Sequence, residues 1–280
     1  MKLKEAPQVF ATQLGLRRLP VKQLLQRKST TVPMVVSFTS IPQRLAKVHY
    51  TVKSLLNQTV SPEKIVLWLH EDLKTGLPKK LQQLQGDIFD IRYSPFTCPH
   101  RKLIHSLQAF PDAAVITCDD DSMYEPLWLQ RLYEEHCAYP ADVIANRCNL
   151  ISYDGKGETL PYRNWGKVSD GGFTAEALMP AGYGGVVYPP ASLDPRATDE
   201  KLFMQLAPRA DDLWFKAMSV LKGTRSRRSR TPGEKPVTVF GSQSFKLGRT
   251  NIRQDENRLQ WNAVAAYFDI APLSSDRFYD

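Results

Sequence analysis

The sequence predicts an α/β fold built on a mostly parallel sheet with helices on both faces. Short runs of apolar and β-branched residues alternate at regular intervals with segments of helical periodicity. The length of 280 residues suits one large domain or at most two small ones. An apolar fraction of 42% and a charged fraction of 24% are ordinary for a globular protein and exclude wholesale disorder.

Residues 1–31 form a basic lead-in ahead of the predicted domain. A broken amphipathic pattern runs through this segment and is interrupted by Pro20; its apolar members are Phe10, Leu14, Leu24 and Leu25. Two interpretations stay open. The segment is either a helix packed on the domain or a contact with an anionic membrane surface, to which mixed basic and apolar faces bind.

The predicted strands and helices alternate from residue 33 onward. Buried strands are predicted where apolar, β-branched runs occur, at Pro33–Thr39, Lys64–Leu69, Ile88–Tyr93 and Ala113–Thr117. Helices are predicted where apolar residues recur at helical spacing, at Leu45–Leu56, after Pro78, at His100–Phe110 and from near Pro126. Ligands of such sheets bind beyond the carboxyl ends of the strands, so the loops after Thr39 and Thr117 are the first to inspect.

Three consecutive carboxylates, Asp119, Asp120 and Asp121, follow the fourth predicted strand. Adjacent carboxylates at the end of a buried strand repel one another and are costly unless a cation compensates them. Asp119 and Asp121 can both coordinate one hard divalent ion, Mn²⁺ or Mg²⁺, which keeps positions open for substrate phosphates. An acidic turn or helix cap is the alternative interpretation of the triplet.

Four segments in this order, VSFTSIPQR, ITCDDDSMY, GYGGVVYPP and ADDLWFK, resemble bacterial GT-A glycosyltransferases related to family 2. The resemblance covers about Pro33 to Lys216 and depends on the order and spacing of the segments. It implies a GT-A type of α/β fold in a single domain over residues 32–270, with a tail at 271–280. The nucleotide-binding half would cover about residues 32–125 and the acceptor half about 126–270.

The resemblance implies a nucleotide-sugar site around the first strand. In the family, this strand and its following loop hold the base and ribose, which here implicates Thr39, Ser40 and Arg44. A basic residue before the carboxylate motif commonly contacts the donor, and Arg101 and Lys102 occupy that stretch. For Arg44 and Lys102, a solvated charge at a helix start is the alternative interpretation.

The resemblance also implies a metal site and a sugar contact. The DxD element of the family binds the metal that bridges the donor phosphates, so Asp119 and Asp121 are the implied ligands. Asp120 would lie near the ribose or be held as a spare carboxylate. Gly184 and Gly185 are implied to lie at the donor sugar, with a plain turn before an edge strand as the alternative.

Asp211 and Asp212 precede a predicted helix. Acidic residues at a helix N-terminus are favoured by the dipole whatever their function. The resemblance implies that they are the acidic pair of an inverting transferase, one of which deprotonates the acceptor hydroxyl. Asp212 is the preferred candidate and Asp211 the second, since their spacing does not separate them. The polar stretch between Gly155 and Gly172 contains Tyr162, Trp165 and Asp170. Its aromatic rings are interpreted either as contacts for the acceptor sugar or as packing.

The run Gly223–Arg230 is basic and serine-rich, contains no apolar residue and predicts a flexible loop. No aromatic residue is interleaved with its arginines, which disfavours an arm for nucleic acid. A loop that closes an active site, or a patch for anionic lipid or lipopolysaccharide, is the alternative interpretation of the run.

The bulk properties limit the cellular setting. The net charge of +8 favours anionic partners. The four cysteines are widely spaced, which argues against a zinc site and a disulfide framework and favours a reducing compartment. No stretch has the pattern of a signal peptide or the roughly 20 apolar residues of a membrane span. The sequence therefore predicts a cytoplasmic protein, with a peripheral position at the inner face of the membrane left open.

The predicted function is transfer of a sugar from a nucleotide-diphosphate sugar, expected to be a UDP-sugar, to a hydroxyl of a glycan or lipid-linked glycan. Synthesis of a bacterial surface polysaccharide or lipopolysaccharide is the expected setting, with no nucleic acid as partner. Two other classes stay open. One is a different metal-dependent nucleotide enzyme such as a nucleotidyltransferase, and the other is a non-catalytic module that binds anionic polymers.

Overall fold

The computed structural model describes residues 5–242 and 255–278. These residues divide into two compact units. Unit 1 comprises residues 5–97, 101–134 and 233–242, and unit 2 comprises residues 98–100, 135–232 and 255–278. The predicted α/β class with a mostly parallel sheet and flanking helices is confirmed.

The strands and helices follow in chain order. The strands are β1 (Thr31–Thr39), β2 (Ser61–His70), β3 (Phe89–Ser94), β4 (Ala114–Thr117), β5 (Ser122–Met123), β6 (Val143–Ala145), β7 (Cys148–Leu150), β8 (Gly166–Lys167), β9 (Leu178–Pro180), β10 (Val186–Tyr188), β11 (Ser226–Arg228) and β12 (Val237–Thr238). The helices are α1 (Ala6–Arg18), α2 (Val21–Leu24), α3 (Leu45–Leu56), α4 (Lys79–Gln82), α5 (Arg101–Ala109), α6 (Trp128–Ala138), α7 (Glu200–Leu206), α8 (Asp211–Lys222) and α9 (Glu256–Phe268). Within the two described ranges, no helix combines the length and apolar character that a membrane span requires.

In unit 1, four strands form a parallel sheet in the order β4-β1-β2-β3. Val36 of β1 is level with Ile65 of β2 on one side and with Ile116 of β4 on the other. The strands are apolar along most of their length because the sheet is buried, and Phe38 and Phe89 are fully buried. The four strands predicted from these runs, and the helices α3, α4 and α5 between them, are confirmed.

In unit 2, β6 pairs with β10 in the antiparallel sense and with β11 in the parallel sense. A second, antiparallel sheet places β7 between β8 and β9. Helix α8 buries Trp214 and Phe215, and the Trp214 ring lies 6.0 Å from that of Phe268 on α9. The helix predicted to begin at Asp211 and Asp212 is confirmed.

The flexible loop predicted at Gly223–Arg230 is wrong, because its centre forms the buried strand β11. Arg227 is only 2% exposed. Its Nε donates to Asp142 Oδ2 at 2.7 Å, and its guanidinium lies 3.6 Å from the centroid of the Tyr139 ring. An ion pair and a cation–π contact offset the cost of burying the charge. The sequence pattern did not indicate the strand because these partners are about 85 residues away along the chain.

The N-terminal segment packs on unit 1, as the first of its two interpretations predicted. Val9, Leu16 and Leu24 are buried. Lys53 of α3 is also buried, and its Nζ donates to the carbonyls of Leu16 at 2.9 Å and Leu19 at 3.1 Å. The last carbonyls of a helix have no partner within the helix, so this ammonium group satisfies the end of α1.

We expect Asp142→Asn to lower the free energy of unfolding by about 3 kcal/mol, because the Arg227 guanidinium stays buried and loses the charge of the Asp142 carboxylate. Urea unfolding of the full chain measures the change. Asp170→Asn removes an exposed carboxylate of the same unit and serves as the control, with an expected change below about 0.5 kcal/mol. A loss as small as that of the control would show that β11 does not depend on the buried pair.

Candidate active site

Strands β1 and β4 end side by side at one edge of the sheet in unit 1. Ser37 of β1 is level with Thr117 of β4, and the two strands are parallel, so the chain leaves both at the same edge. Ser40 begins the loop after β1, and Asp119–Asp121 follow β4 after one intervening residue. The structure thus brings together the two segments that the sequence singled out.

Asp120 turns into the protein and joins these two segments. It is 5% exposed. Its Oδ1 accepts a hydrogen bond from Arg44 Nη1 at 2.5 Å, and its Oδ2 accepts one from Ser40 Oγ at 2.5 Å. Thr51 Oγ1 of α3 donates to the Asp120 carbonyl at 2.8 Å. These bonds hold the Asp120 carboxylate inside the protein, and its role toward a bound donor stays a prediction.

The charges of Asp120 and Arg44 depend on each other. Burial raises the pKa of the Asp120 carboxyl, while the Arg44 charge and the hydrogen bonds from Ser40 and Arg44 oppose that rise. Burial also works to lower the pKa of the Arg44 guanidinium, but Asp120 and Asp121 outweigh it, so that pKa is raised. Removal of the Arg44 charge would leave the Asp120 carboxylate buried without this cation. The pair therefore fastens the loop after β1 to the end of β4.

Asp119 and Asp121 lie closer to solvent than Asp120, with side chains that are 37% and 14% exposed. Asp119 Oδ1 is 3.5 Å from Lys102 Nζ, and Asp121 Oδ2 is 3.3 Å from Arg44 Nη2. In these ion pairs, the three carboxylates of Asp119–Asp121 share two cationic side chains, Arg44 and Lys102. Such a surplus of negative charge suits a bound cation.

The chemistry of Asp119 and Asp121 fits a hard divalent cation. Carboxylate oxygens are the ligands that Mg²⁺ and Mn²⁺ prefer, and these two lie on the more exposed side of the cluster. Among the residues that the structure describes, no group of three or more His, Cys, Asp or Glu side chains is arranged to hold a metal. The residues fit a site with few protein ligands, in which water and phosphate oxygens complete the coordination.

Arg101 supports the loop that follows β1. It is 3% exposed, and its guanidinium donates to Thr39 Oγ1 at 2.8 Å, to the Ser40 carbonyl at 3.0 Å and to the Phe96 carbonyl. Thr39 Oγ1 in turn donates to the Trp68 carbonyl at 2.9 Å. These bonds hold the loop in place. A direct contact of Arg101 or Thr39 with a donor stays a prediction.

In unit 2, Asp211 and Asp212 open helix α8. Asp211 is 8% exposed, whereas Asp212 is half-buried. The Gly182 N–H donates to Asp212 Oδ2 at 2.9 Å. Burial, followed by the negative charge of Asp212, raises the pKa of Tyr162 to about 12. Asp212 is thus the more accessible of the two carboxylates and is oriented by a backbone N–H, and both features suit a general base.

Gly184 and Gly185 are required by local geometry. A Cβ on Gly184 would lie 2.6 Å from Arg147 Cγ, and Gly185 has a φ of 96°, which favours glycine. The turn Gly182–Gly184 therefore packs closely against Arg147. The same turn provides the N–H that donates a hydrogen bond to Asp212. The contact of Gly184 and Gly185 with the donor sugar stays a prediction.

The two aromatic residues of the polar stretch have different surroundings. Trp165 is 5% exposed and its Nε1 donates to the Leu160 carbonyl at 2.9 Å, which favours packing. Tyr162 lies near Asp212, and its hydroxyl accepts from Asn149 Nδ2 at 3.4 Å. The proximity of Tyr162 to the candidate base has no signal in the sequence, because the two residues are far apart along the chain.

Two residues of the site in unit 1 were not identified from the sequence. Tyr124 is buried and its hydroxyl accepts from the Asp119 N–H at 3.0 Å. Thr51 is fully buried on α3 and holds the Asp120 carbonyl. Thr51 could have been found as a polar residue on the buried face of a predicted helix. The contact of the Tyr124 hydroxyl with the Asp119 N–H could not, because it depends on the conformation of the turn between these two residues.

Comparison with known protein families identifies the family of this chain. The family described as glycosyl transferase family 2 matches residues 42–197, which is more than half of the chain. The chain belongs to glycosyl transferase family 2. The resemblance drawn from the motifs is thereby confirmed. The family 2 match includes Arg44, Asp119–Asp121 and Gly184, whereas Ser40 and Asp212 lie outside it.

Comparison with individual proteins adds little to the family 2 assignment. None of the curated proteins is significantly similar to the chain. A solved structure of CMP:2-keto-3-deoxy-manno-octonic acid synthetase complexed with CTP is similar over 74% of this chain and 93% of its own, with 13% identity and a TM-score of 0.37. A similarity of that size supports no argument about the activity of this family 2 protein.

We expect Arg44→Met to lower the free energy of unfolding by about 3 kcal/mol, because it leaves the Asp120 carboxylate buried without its cation. Adding Asp120→Asn should restore at least about 1 kcal/mol relative to the sum of the two single changes. Urea unfolding of all four proteins gives this coupling energy.

Arg92→Met is the control for the Arg44 variants, since Arg92 pairs with Asp90 at 3.0 Å in a much more exposed setting. Its loss should stay below about 1 kcal/mol. Simple additivity of Arg44→Met and Asp120→Asn would contradict the role given to the buried pair.

Proposed function

We propose that this family 2 protein transfers a sugar from a nucleotide-diphosphate sugar to a hydroxyl group of a glycan acceptor. The observation that carries the proposal is the carboxylate cluster of unit 1, in which Asp119 and Asp121 lie toward solvent beside the buried Asp120–Arg44 pair. Family membership supports a transferase over a module that only binds anionic polymers.

The substrates follow from the same proposal. We expect a UDP-sugar as the donor and a glycan or lipid-linked glycan as the acceptor, in the synthesis of a bacterial surface polysaccharide or lipopolysaccharide. The net charge of +8 is consistent with a donor that carries phosphate groups.

The donor would be held at the edge of the sheet in unit 1. Asp119 and Asp121 would hold Mn²⁺ or Mg²⁺, and the bound ion would supply a Lewis acid that stabilises negative charge on the nucleoside diphosphate. Lys102 and Arg44 stand beside these carboxylates and supply positive charge for the phosphate oxygens. Ser40 is positioned by Asp120 in the loop that would face the nucleotide.

Asp212 would act as the general base of a single displacement. The acceptor hydroxyl gives its proton to the Asp212 carboxylate as its oxygen bonds to the anomeric carbon of the donor. The bond between that carbon and the diphosphate oxygen breaks, and its electron pair leaves with the nucleoside diphosphate. One displacement inverts the anomeric centre. The hydrogen bond from the Gly182 N–H fixes the orientation of the base.

We expect Asp119→Asn and Asp121→Asn to weaken Mn²⁺-dependent binding of the donor by more than tenfold, which corresponds to about 1.4 kcal/mol. Each change removes one carboxylate charge from the proposed metal site. Calorimetry with UDP-, GDP-, CMP- and dTDP-sugars, with and without Mn²⁺, measures the effect and identifies the nucleotide.

Asp112→Asn removes an exposed carboxylate elsewhere in unit 1 and should bind the donor as the wild type does. Unchanged affinity in both Asp119→Asn and Asp121→Asn would refute the metal site. If the wild type binds none of the four donors, the transferase proposal itself is refuted.

We expect Asp212→Asn to keep its donor affinity within about twofold and to lose turnover by about 10²–10⁴-fold, the usual contribution of a general base. Release of nucleoside diphosphate in the presence of acceptor measures the rate. Asp269→Asn, an exposed carboxylate of the same unit, is the control. Full activity of Asp212→Asn together with inactivity of Asp211→Asn would assign the base to Asp211.

A further inference from the structure

Helix α1 presents an apolar stripe on its outer face. Phe10 is 53% exposed and Leu14 is 46% exposed. These two residues are four positions apart and Arg17 follows three positions later, so all three lie on the same side of the helix. Val9 and Leu16, on another side, are buried in unit 1. The helix is thus fixed to the protein by one side and exposes large apolar groups on another.

Phe240 extends this stripe beyond the helix. It is 45% exposed, and its ring lies 5.1 Å from the ring of Phe10. Its N–H donates to Gln13 Oε1 of α1 at 2.9 Å, and Lys47 Nζ lies 5.8 Å from the centroid of its ring. The chain therefore brings two aromatic rings from distant positions together at the surface. A single exposed apolar side chain is ordinary, whereas a contiguous exposed group indicates an interaction site.

Cations surround this apolar group. Arg17 and Arg18 are exposed in the last turn of α1, and Lys47 stands at Phe240. We call the three apolar and three basic side chains of this surface the α1 patch: Phe10, Leu14, Phe240, Arg17, Arg18 and Lys47. In the first 31 residues of the sequence, seven Lys and Arg stand against a single acidic residue, Glu5. A partner of this surface must therefore be anionic as well as apolar.

A membrane surface that contains anionic lipid matches both properties. Aromatic and aliphatic side chains enter the boundary between headgroups and acyl chains, and neighbouring Arg and Lys side chains meet the lipid phosphates. A nucleic acid would satisfy the cations and leave Leu14 and the two rings exposed. A second copy of the chain would bring like charges together. We propose that the α1 patch docks the protein on an anionic membrane surface.

Sedimentation with lipid vesicles tests the docking, using the full chain and no substrate. Wild type should bind vesicles that contain phosphatidylglycerol and should not bind vesicles of phosphatidylcholine alone, and added salt should weaken the binding. The double variant Phe10→Ser/Phe240→Ser should bind at least tenfold more weakly. Arg17→Gln/Arg18→Gln should lose about fivefold for each charge removed.

Leu259→Ser is the matched control, because Leu259 is 58% exposed on α9 in unit 2. It should bind vesicles as the wild type does. Equal binding of wild type and Phe10→Ser/Phe240→Ser, or equal binding of wild type to both lipid compositions, would overturn the proposal. Light scattering without vesicles supplies a second check, since a dimer that the Phe10/Phe240 double variant converts to a monomer would make the patch a contact between copies.

The vesicle experiment is independent of the proposed glycosyl transfer. Donor binding by the Phe10→Ser/Phe240→Ser protein should equal that of the wild type, because neither residue belongs to the carboxylate cluster. Vesicle binding without any affinity for nucleotide-sugars would support the docking surface and refute the proposed reaction. Affinity for nucleotide-sugars without vesicle binding would support the proposed reaction and refute the docking surface.

Discussion

The buried Asp120–Arg44 pair is the constraint on which the candidate donor site depends. It joins two loops that belong to different strands, and loss of Arg44 would leave the Asp120 carboxylate buried without this cation. Because the middle carboxylate of the triplet is directed inward, its two neighbours remain on the side that solvent reaches. One structural ion pair thus arranges Asp119 and Asp121, and the support of the loop by Arg101 keeps Ser40 in register with them.

The sequence predicted most of unit 1 because buried parallel strands are apolar in a way that is visible locally. Strand β11 could not be predicted in this way, since the Asp142 and Tyr139 contacts that allow Arg227 to be buried form only in the folded chain. The triplet itself was evident from the sequence, but which of its carboxylates would be buried was not. That choice depends on where Arg44 and Ser40 arrive after the turn that follows β1.

Unit 2 shows steric and chemical requirements acting on one short turn. Gly184 must lack a side chain because Arg147 occupies the space, and Gly182 in the same turn supplies the N–H that Asp212 accepts. The motif GYGG could be found in the sequence, whereas its link to an acidic residue about 30 positions later could not. Loss of activity on substitution of Gly184 would therefore not by itself identify a sugar contact.

Lys53 makes the N-terminal helix part of unit 1. A chain shortened to begin after Thr31 would remove both carbonyls, of Leu16 and Leu19, that now accept hydrogen bonds from this ammonium group. The apolar surface covered by Val9 and Leu24 would become exposed at the same time. Truncated forms should therefore aggregate, and fusion tags belong ahead of the helix rather than in its place.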